Sequence, residues 1–132
     1  MENVFITGAD RGVGFALCEE FAAHGFRVLA GQYMPEWGAL AELAEKYPAQ
    51  FTRMSILSTS SEAVLTASCT EGYTFRVYHP GWVRSYMSGK KAYRGHYEPE
   101  ESAAVAFRQF TQERSFEDAL VMTDIKGEVW PF

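Results

Sequence analysis

Long apolar runs are missing from this chain of 132 residues. A bilayer crossing takes about 20 apolar residues in a row, so no membrane span is expected. Cysteine is scarce, with only Cys18 and Cys69. The pair forms no metal-ligand spacing, and a disulfide-dense secreted scaffold is excluded. Cys18 falls on the apolar face of a helical pattern and is expected to be a buried thiol. Positive charge is also short: 12 Lys and Arg stand against 17 Asp and Glu, a net charge of −5. General nucleic-acid binding needs a basic surface, so no nucleic-acid partner is expected. One bound dinucleotide remains compatible, because a helix N-terminus attracts phosphate locally. His24, His79 and His96 are scattered, and no carboxylate or cysteine spacing joins them into a metal site. No secretory leader is recognisable, since Met1-Glu2-Asn3 runs straight into an apolar stretch. A reduced, cytoplasmic setting is the default expectation. Repeats, low-complexity tracts and interdomain linkers are absent too, which makes residues 1–132 a single domain.

What is present can build a core. Apolar residues make up 47% of the chain and aromatics 15%, enough for a packed domain of this length. The most informative stretch is Thr7-Gly8-Ala9-Asp10-Arg11-Gly12-Val13-Gly14. Asn3 to Thr7 reads as a buried parallel strand. Phe15 to His24 reads as a helix, with Phe15, Cys18, Phe21 and Ala22 on one face and Gly25 as its left-handed cap. Strand, glycine turn and helix in succession put backbone N–H groups and a positive helix end at one point, which suits a pyrophosphate. Gly8 permits the tight turn, Gly12 lets phosphates approach the backbone, and Gly14 lets helix and strand pack closely.

The pattern continues in alternation. Arg27 to Gly31 reads as a second strand, completing a right-handed βαβ unit. Trp37 to Lys46 reads as a helix that Pro48 ends, and Phe51 to Leu57 as a third strand. Thr59 to Thr66 begins another helix with Ser60 or Ser61 as cap. Tyr73 to Tyr78 is a further strand leading to His79-Pro80-Gly81. Gly89 to Tyr97 reads as a mobile surface loop. A helix starts at Glu98-Pro99-Glu100-Glu101, with Ala103, Ala104, Phe107 and Phe110 on its apolar face. Leu120 to Thr123 is a short last strand, and Lys126-Gly127 turns the chain toward Val129-Trp130.

Thr7-Gly8-x-x-x-Gly12-x-Gly14 at the N-terminus resembles the cofactor loop of the short-chain dehydrogenase/reductase family. Tyr73 to Ser85, with its Pro80-Gly81 step, resembles the family's sixth strand and the loop beside the nicotinamide. The resemblance implies an α/β, truncated Rossmann-type, three-layer fold of about five mostly parallel strands. The order 3-2-1-6-7 follows, in the family's strand numbering, if the strand ending at Tyr78 slides in beside the first. The family's fourth and fifth strands, its Asn-Ala-Gly segment and its catalytic serine and Tyr-x-x-x-Lys helix have no match in their expected place.

Function follows from the same resemblance. It implies an NAD(P)(H)-dependent oxidoreductase acting on a small carbonyl/alcohol pair, impaired or inactive because the catalytic middle is absent. The other reading is a non-catalytic remnant that binds the dinucleotide or serves a structural role. A second copy of the chain completing the site is a third. Cofactor contacts carried over by the match are Gly8, Asp10, Arg11, Gly12, Val13, Gly14, Gln32, Pro80, Gly81, Val83 and Ser85. Ser85 stands where the family has a threonine that contacts the carboxamide. An acidic residue ending the second strand would favour NAD, whereas this chain has Gln32-Tyr33. Arg11 matches a basic residue of NADP-preferring members, so NADP is the expected cofactor. Leu57 stands where the family has an adenine-contacting aspartate.

Tyr86-Met87-Ser88-Gly89-Lys90 repeats the Tyr-x-x-x-Lys spacing after the Pro-Gly loop rather than before it. Gly89 weakens any helix there by about 1 kcal/mol relative to Ala, and without a helix the spacing does not bring the two side chains together. Ser61 matches the catalytic serine only if Phe51 to Ser58 is aligned with the family's fifth strand. Tyr86, Lys90 and Ser61 are therefore the only catalytic candidates the sequence offers, each with a bland reading as loop or capping residue.

Overall fold

The βαβαβ alternation is what the chain builds first. A computed structural model describes residues 2–34, 37–55, 77–85, 90–112 and 122–130. Strand β1 (Asn3–Ile6) leads through the glycine turn into helix α1 (Gly12–Ala23). Strand β2 (Arg27–Gln32), helix α2 (Ala39–Lys46) and strand β3 (Phe51–Ser55) follow. The three strands form one parallel sheet in the order β1-β2-β3, with Val4 opposite Val28 and Val28 opposite Phe51. Two crossovers of the same hand stepping the same way along a sheet place both helices on one face. Ile6, Val28, Ala30 and Phe51 meet Cys18, Phe21, Ala22, Leu40 and Leu43 in a single core there. Burial and the neighbouring charges of Glu19 and Asp10 push the Cys18 thiol up to about 12, so it is inert packing.

Local signals end these elements as their residues dictate. Helix α1 begins at Gly12, earlier than the apolar pattern from Phe15 suggests. It stops in a Schellman motif: Phe26 N–H donates to Phe21 O and Gly25 N–H to Ala22 O, with Gly25 at φ +83°. Helix α2 starts at Ala39 rather than Trp37, with Gly38 as N-cap.

The C-terminal half forms a second sheet. Strand β4 (Val77–His79) pairs in parallel with β5 (Met122–Asp124), which pairs antiparallel with β6 (Val129–Trp130). Helix α3 (Pro99–Thr111) lies between β4 and β5 in sequence. Its start is the acidic stretch anticipated from sequence: Glu98 caps it, with Glu98 and Glu101 forming a reciprocal capping box and Pro99 in the first turn.

The expected order 3-2-1-6-7 is seen as two parts among the described residues, and most of the strand expected over Tyr73–Tyr78 lies outside them. The halves 3-2-1 and 6-7 form, but β4 is not hydrogen-bonded to β1; among the described residues there are two three-stranded sheets. β1 is correspondingly half-buried rather than buried. The link between the halves is helical: α3 packs on α1. Phe107 of α3 meets Phe21 at 4.8 Å and Phe26 at 5.9 Å, both edge-on, and stacks on His24 at 4.2 Å. The helix expected over Thr59 to Thr66 lies outside the described residues.

Residues 90–97 do not form the free loop that their composition suggests. They fold back on residues 82–85: Ala92 N–H donates to Ser85 O (2.9 Å), His96 N–H to Trp82 O (2.7 Å) and Arg84 N–H to Tyr97 O (2.9 Å). Lys91 Nζ is 2.9 Å and Arg84 Nε 2.5 Å from the Glu98 carboxylate, and these cations, Lys91 first, hold its carboxyl below the usual range.

Asp124 organises the terminal hairpin. Its Oδ1 accepts from Lys126 N–H and Glu128 N–H, each at 2.9 Å, and its Oδ2 from Trp130 Nε1–H at 3.0 Å. The indole bond, then the two amides, hold the carboxyl below its ordinary range against the opposing effect of burial. A folded value below the unfolded one gives stability that is complete above about pH 4 and is lost as pH falls through the folded value. Acidification below about pH 4 is thus expected to release Trp130, read as a tryptophan fluorescence shift. Asp124→Asn has nothing to titrate there; the same acid transition in that variant would refute the assignment.

Candidate functional site

The glycine turn is built by backbone geometry. Gly8 and Gly12 sit at φ +63° and +62°, a region that side chains disfavour. Gly14 is required for a different reason: a Cβ there would collide with the carbonyl of Gly8. Ala9 N–H donates to Gly31 O at 3.1 Å, which pins the turn against the end of β2. Arg11 is the N-cap of α1 in extended conformation, and no side chain caps the helix. Its first turn holds no acidic residue. Among the described residues, the leading amides at Gly12, Val13 and Gly14 are therefore open donors at the positive end of the helix.

The residues picked from sequence gather around this turn in part. Asp10 is buried, and its Oδ2 accepts from Tyr33 N–H at 2.7 Å and Met34 N–H at 3.1 Å. Arg11 lies with its guanidinium carbon 4.8 Å from the centre of the Trp37 ring, a cation–π arrangement. Gln32 is buried at the end of β2, and neither its Nε2 nor Asp10 Oδ1 has a hydrogen-bond partner among the described residues. Ser85 approaches from the other half, its Cβ 3.7 Å from where a Cβ on Gly12 would stand.

The Pro-Gly loop is held from behind. Ser102, fully buried in α3, donates its hydroxyl to Pro80 O at 3.0 Å. The Tyr78 hydroxyl lies 3.1 Å from both Ser102 O and Oγ. Burial first, offset by the Ser102 bond, pushes the Tyr78 phenol up, so it stays neutral. The Tyr97 ring covers Gly81, and Tyr97 pairs with Val83 in an isolated parallel bridge. Pro80, Gly81, Val83 and Ser85 thus sit on one braced segment whose far end reaches the glycine turn.

The catalytic candidates are not assembled among the described residues. Tyr86 and Ser61 lie outside them, as does Leu57. Lys90 is exposed on non-helical chain. No group of His, Cys, Asp and Glu among the described residues could hold a metal ion, and no described helix is long and apolar enough to cross a membrane. Sequence reasoning missed Trp37 as the partner of Arg11, because periodicity assigned it to the helix. It also missed Ser102; a lone small polar residue in the Ala-rich face of α3 was the available signal.

The sequence matches no protein-family model and no curated protein. Solved structures do match. One from Burkholderia multivorans, described as a short-chain dehydrogenase/reductase with bound NADP, superposes with a TM-score of 0.73 at 14% identity, covering 99% of each chain. The fold is that of the short-chain dehydrogenases/reductases. A carbonyl reductase from Pseudomonas aeruginosa in complex with NADP gives a TM-score of 0.65 at 18% identity over 100% of both chains. A short-chain dehydrogenase from Streptomyces avermitilis is 28% identical over 59% of this chain, with a TM-score of 0.43. The chain spans only 29% of that protein's length. Within this short-chain dehydrogenase/reductase fold, the glycine turn and the Pro-Gly loop occupy the first βα junction and the segment after β4.

Proposed function

We propose that the chain binds a nicotinamide dinucleotide at the glycine turn, NADP(H) in preference to NAD(H), as an oxidoreductase-type module for a carbonyl/alcohol pair. The observation that carries the reading is the uncapped, acid-free N-terminus of α1 behind a turn that only glycines fit. The residues present fit such a ligand. Open amides at Gly12 to Gly14 would hold the pyrophosphate, Arg11 would meet a 2′-phosphate, and Ser85 would bond the carboxamide end. The NADP named for the Burkholderia and Pseudomonas structures supports that choice. A bound nicotinamide supplies or takes a hydride; the hydroxyl proton needs a separate donor.

That donor decides between two readings. Lys90 is exposed and lies on no helix, which favours a binding module with weak or no turnover. In the enzyme reading, Tyr86 donates the proton and Lys90 lowers its pKa. A cytoplasmic setting suits either, and a second copy of the chain is the partner that would supply missing groups. Titration with NADPH and NADH, followed by nicotinamide fluorescence, tests the binding. Saturable NADPH binding, tighter than NADH, is the expected result, with little turnover on a broad carbonyl panel. Binding of neither cofactor would overturn the proposal. Measurable turnover abolished in Tyr86→Phe would establish the enzyme reading over the module.

A further inference from the structure

Asp10 and Arg11 are adjacent in sequence, yet both reach the same short segment beyond β2. Asp10 Oδ2 takes the amides of Tyr33 and Met34. Met34 O in turn accepts from Trp37 N–H at 3.1 Å, and the Trp37 ring lies under the Arg11 guanidinium. The four links close a ring of contacts: Asp10 to Met34, Met34 to Trp37, Trp37 to Arg11, and Arg11 back to Asp10 through the chain. The arrangement is costly, since a buried carboxylate with Oδ1 unpartnered among the described residues forgoes much of its hydration. The Tyr33 and Met34 amides are also already occupied, so they are not free to receive a phosphate. Discrimination at this end then falls on the Arg11 side chain, and its placement falls on Trp37.

We infer that Asp10 is a positioning residue for cofactor selection: by holding the segment that carries Trp37, it fixes Arg11 where a 2′-phosphate is read. The inference rests on the dinucleotide-binding reading above. Asp10 itself contacts no phosphate in this scheme, because its charge would repel one.

The test is the ratio of NADPH to NADH affinity, measured by nicotinamide fluorescence on the full chain. A general loss of stability weakens both cofactors alike and leaves the ratio unchanged. Asp10→Ala is expected to lower the ratio about tenfold, the scale of one charge-assisted contact. Asp10→Asn keeps an acceptor for the two amides and removes the charge, so its ratio should equal or exceed that of the wild type. Arg11→Ala should lower the ratio as Asp10→Ala does, and the double variant should fall no further than Arg11→Ala alone. Should Asp10→Ala fail to fold, Trp37→Leu carries the same expectation, since it removes the ring beneath Arg11. An unchanged ratio in folded Asp10→Ala or in Trp37→Leu, while the wild type prefers NADPH, overturns this inference and leaves the binding reading intact. Tighter NADH than NADPH binding by the wild type overturns it as well. Binding of neither cofactor by the wild type overturns both.

Discussion

Gly14→Ala is expected to lose NADPH binding by at least about tenfold and to destabilise the fold by about 1–3 kcal/mol, the usual range for overpacking. The added Cβ meets the carbonyl oxygen and carbon of Gly8 and lies 3.3 Å from Thr7 O. All three atoms are backbone, so no side chain can swing away. Either α1 moves off β1 or the turn between them changes shape. Each response displaces the open amides of Gly12 and Val13. Gly38→Ala is the matched control: its Cβ enters open space, and its backbone is already right-handed helical at φ −66°. That control should be neutral or slightly stabilising. NADPH titration and thermal melts of the two variants check the contrast. Wild-type affinity in a folded Gly14→Ala would remove the glycine turn from any role as the cofactor cradle.

Phe107→Ala is expected to cost about 3 kcal/mol, the lower end of the range for deleting a core phenylalanine. The ring is only half-buried, which argues for the lower end. It nevertheless touches Phe21, Phe26 and His24 at once. Those contacts join α3 to α1, and no strand pairing joins the two sheets among the described residues. The loss is a large part of the 5–15 kcal/mol that holds a typical domain together. Urea unfolding should show a lower midpoint, while Tyr93→Ala, at a ring 85% exposed, should stay within about 0.5 kcal/mol of wild type. A Phe107→Ala loss below about 1 kcal/mol would mean that the two halves are held together by something other than this aromatic seam.

These two predictions differ in how visible they were beforehand. The need for glycine at position 14 is legible from the motif, because a strand followed by a tight turn and a helix leaves no room for a side chain at the crossing. The role of Phe107 is half legible. Helical spacing marks it as apolar-facing, but nothing local says that it meets Phe21 rather than a strand. The grip of Asp10 on Tyr33 and Met34 spans 23 and 24 residues. No pattern in the intervening sequence announces it. The hold of Ser102 on Pro80 is equally silent, for the same reason.

By itself the sequence determined the features whose cause is local. Strand β1, the glycine turn, the Schellman stop at Gly25 and the capping box at Glu98 each follow from a few neighbouring residues, through backbone sterics, hydrogen bonding and the helix dipole. Tertiary structure alone decided the rest. It joined β4, β5 and β6 in one sheet, folded residues 90–97 back on the Pro-Gly loop, and set Trp37 under Arg11. Strand pairing and helix docking depend on the summed packing of groups far apart in the chain. Such sums involve groups that no short stretch of sequence brings together, as Phe107 meeting Phe21, His24 and Phe26 shows.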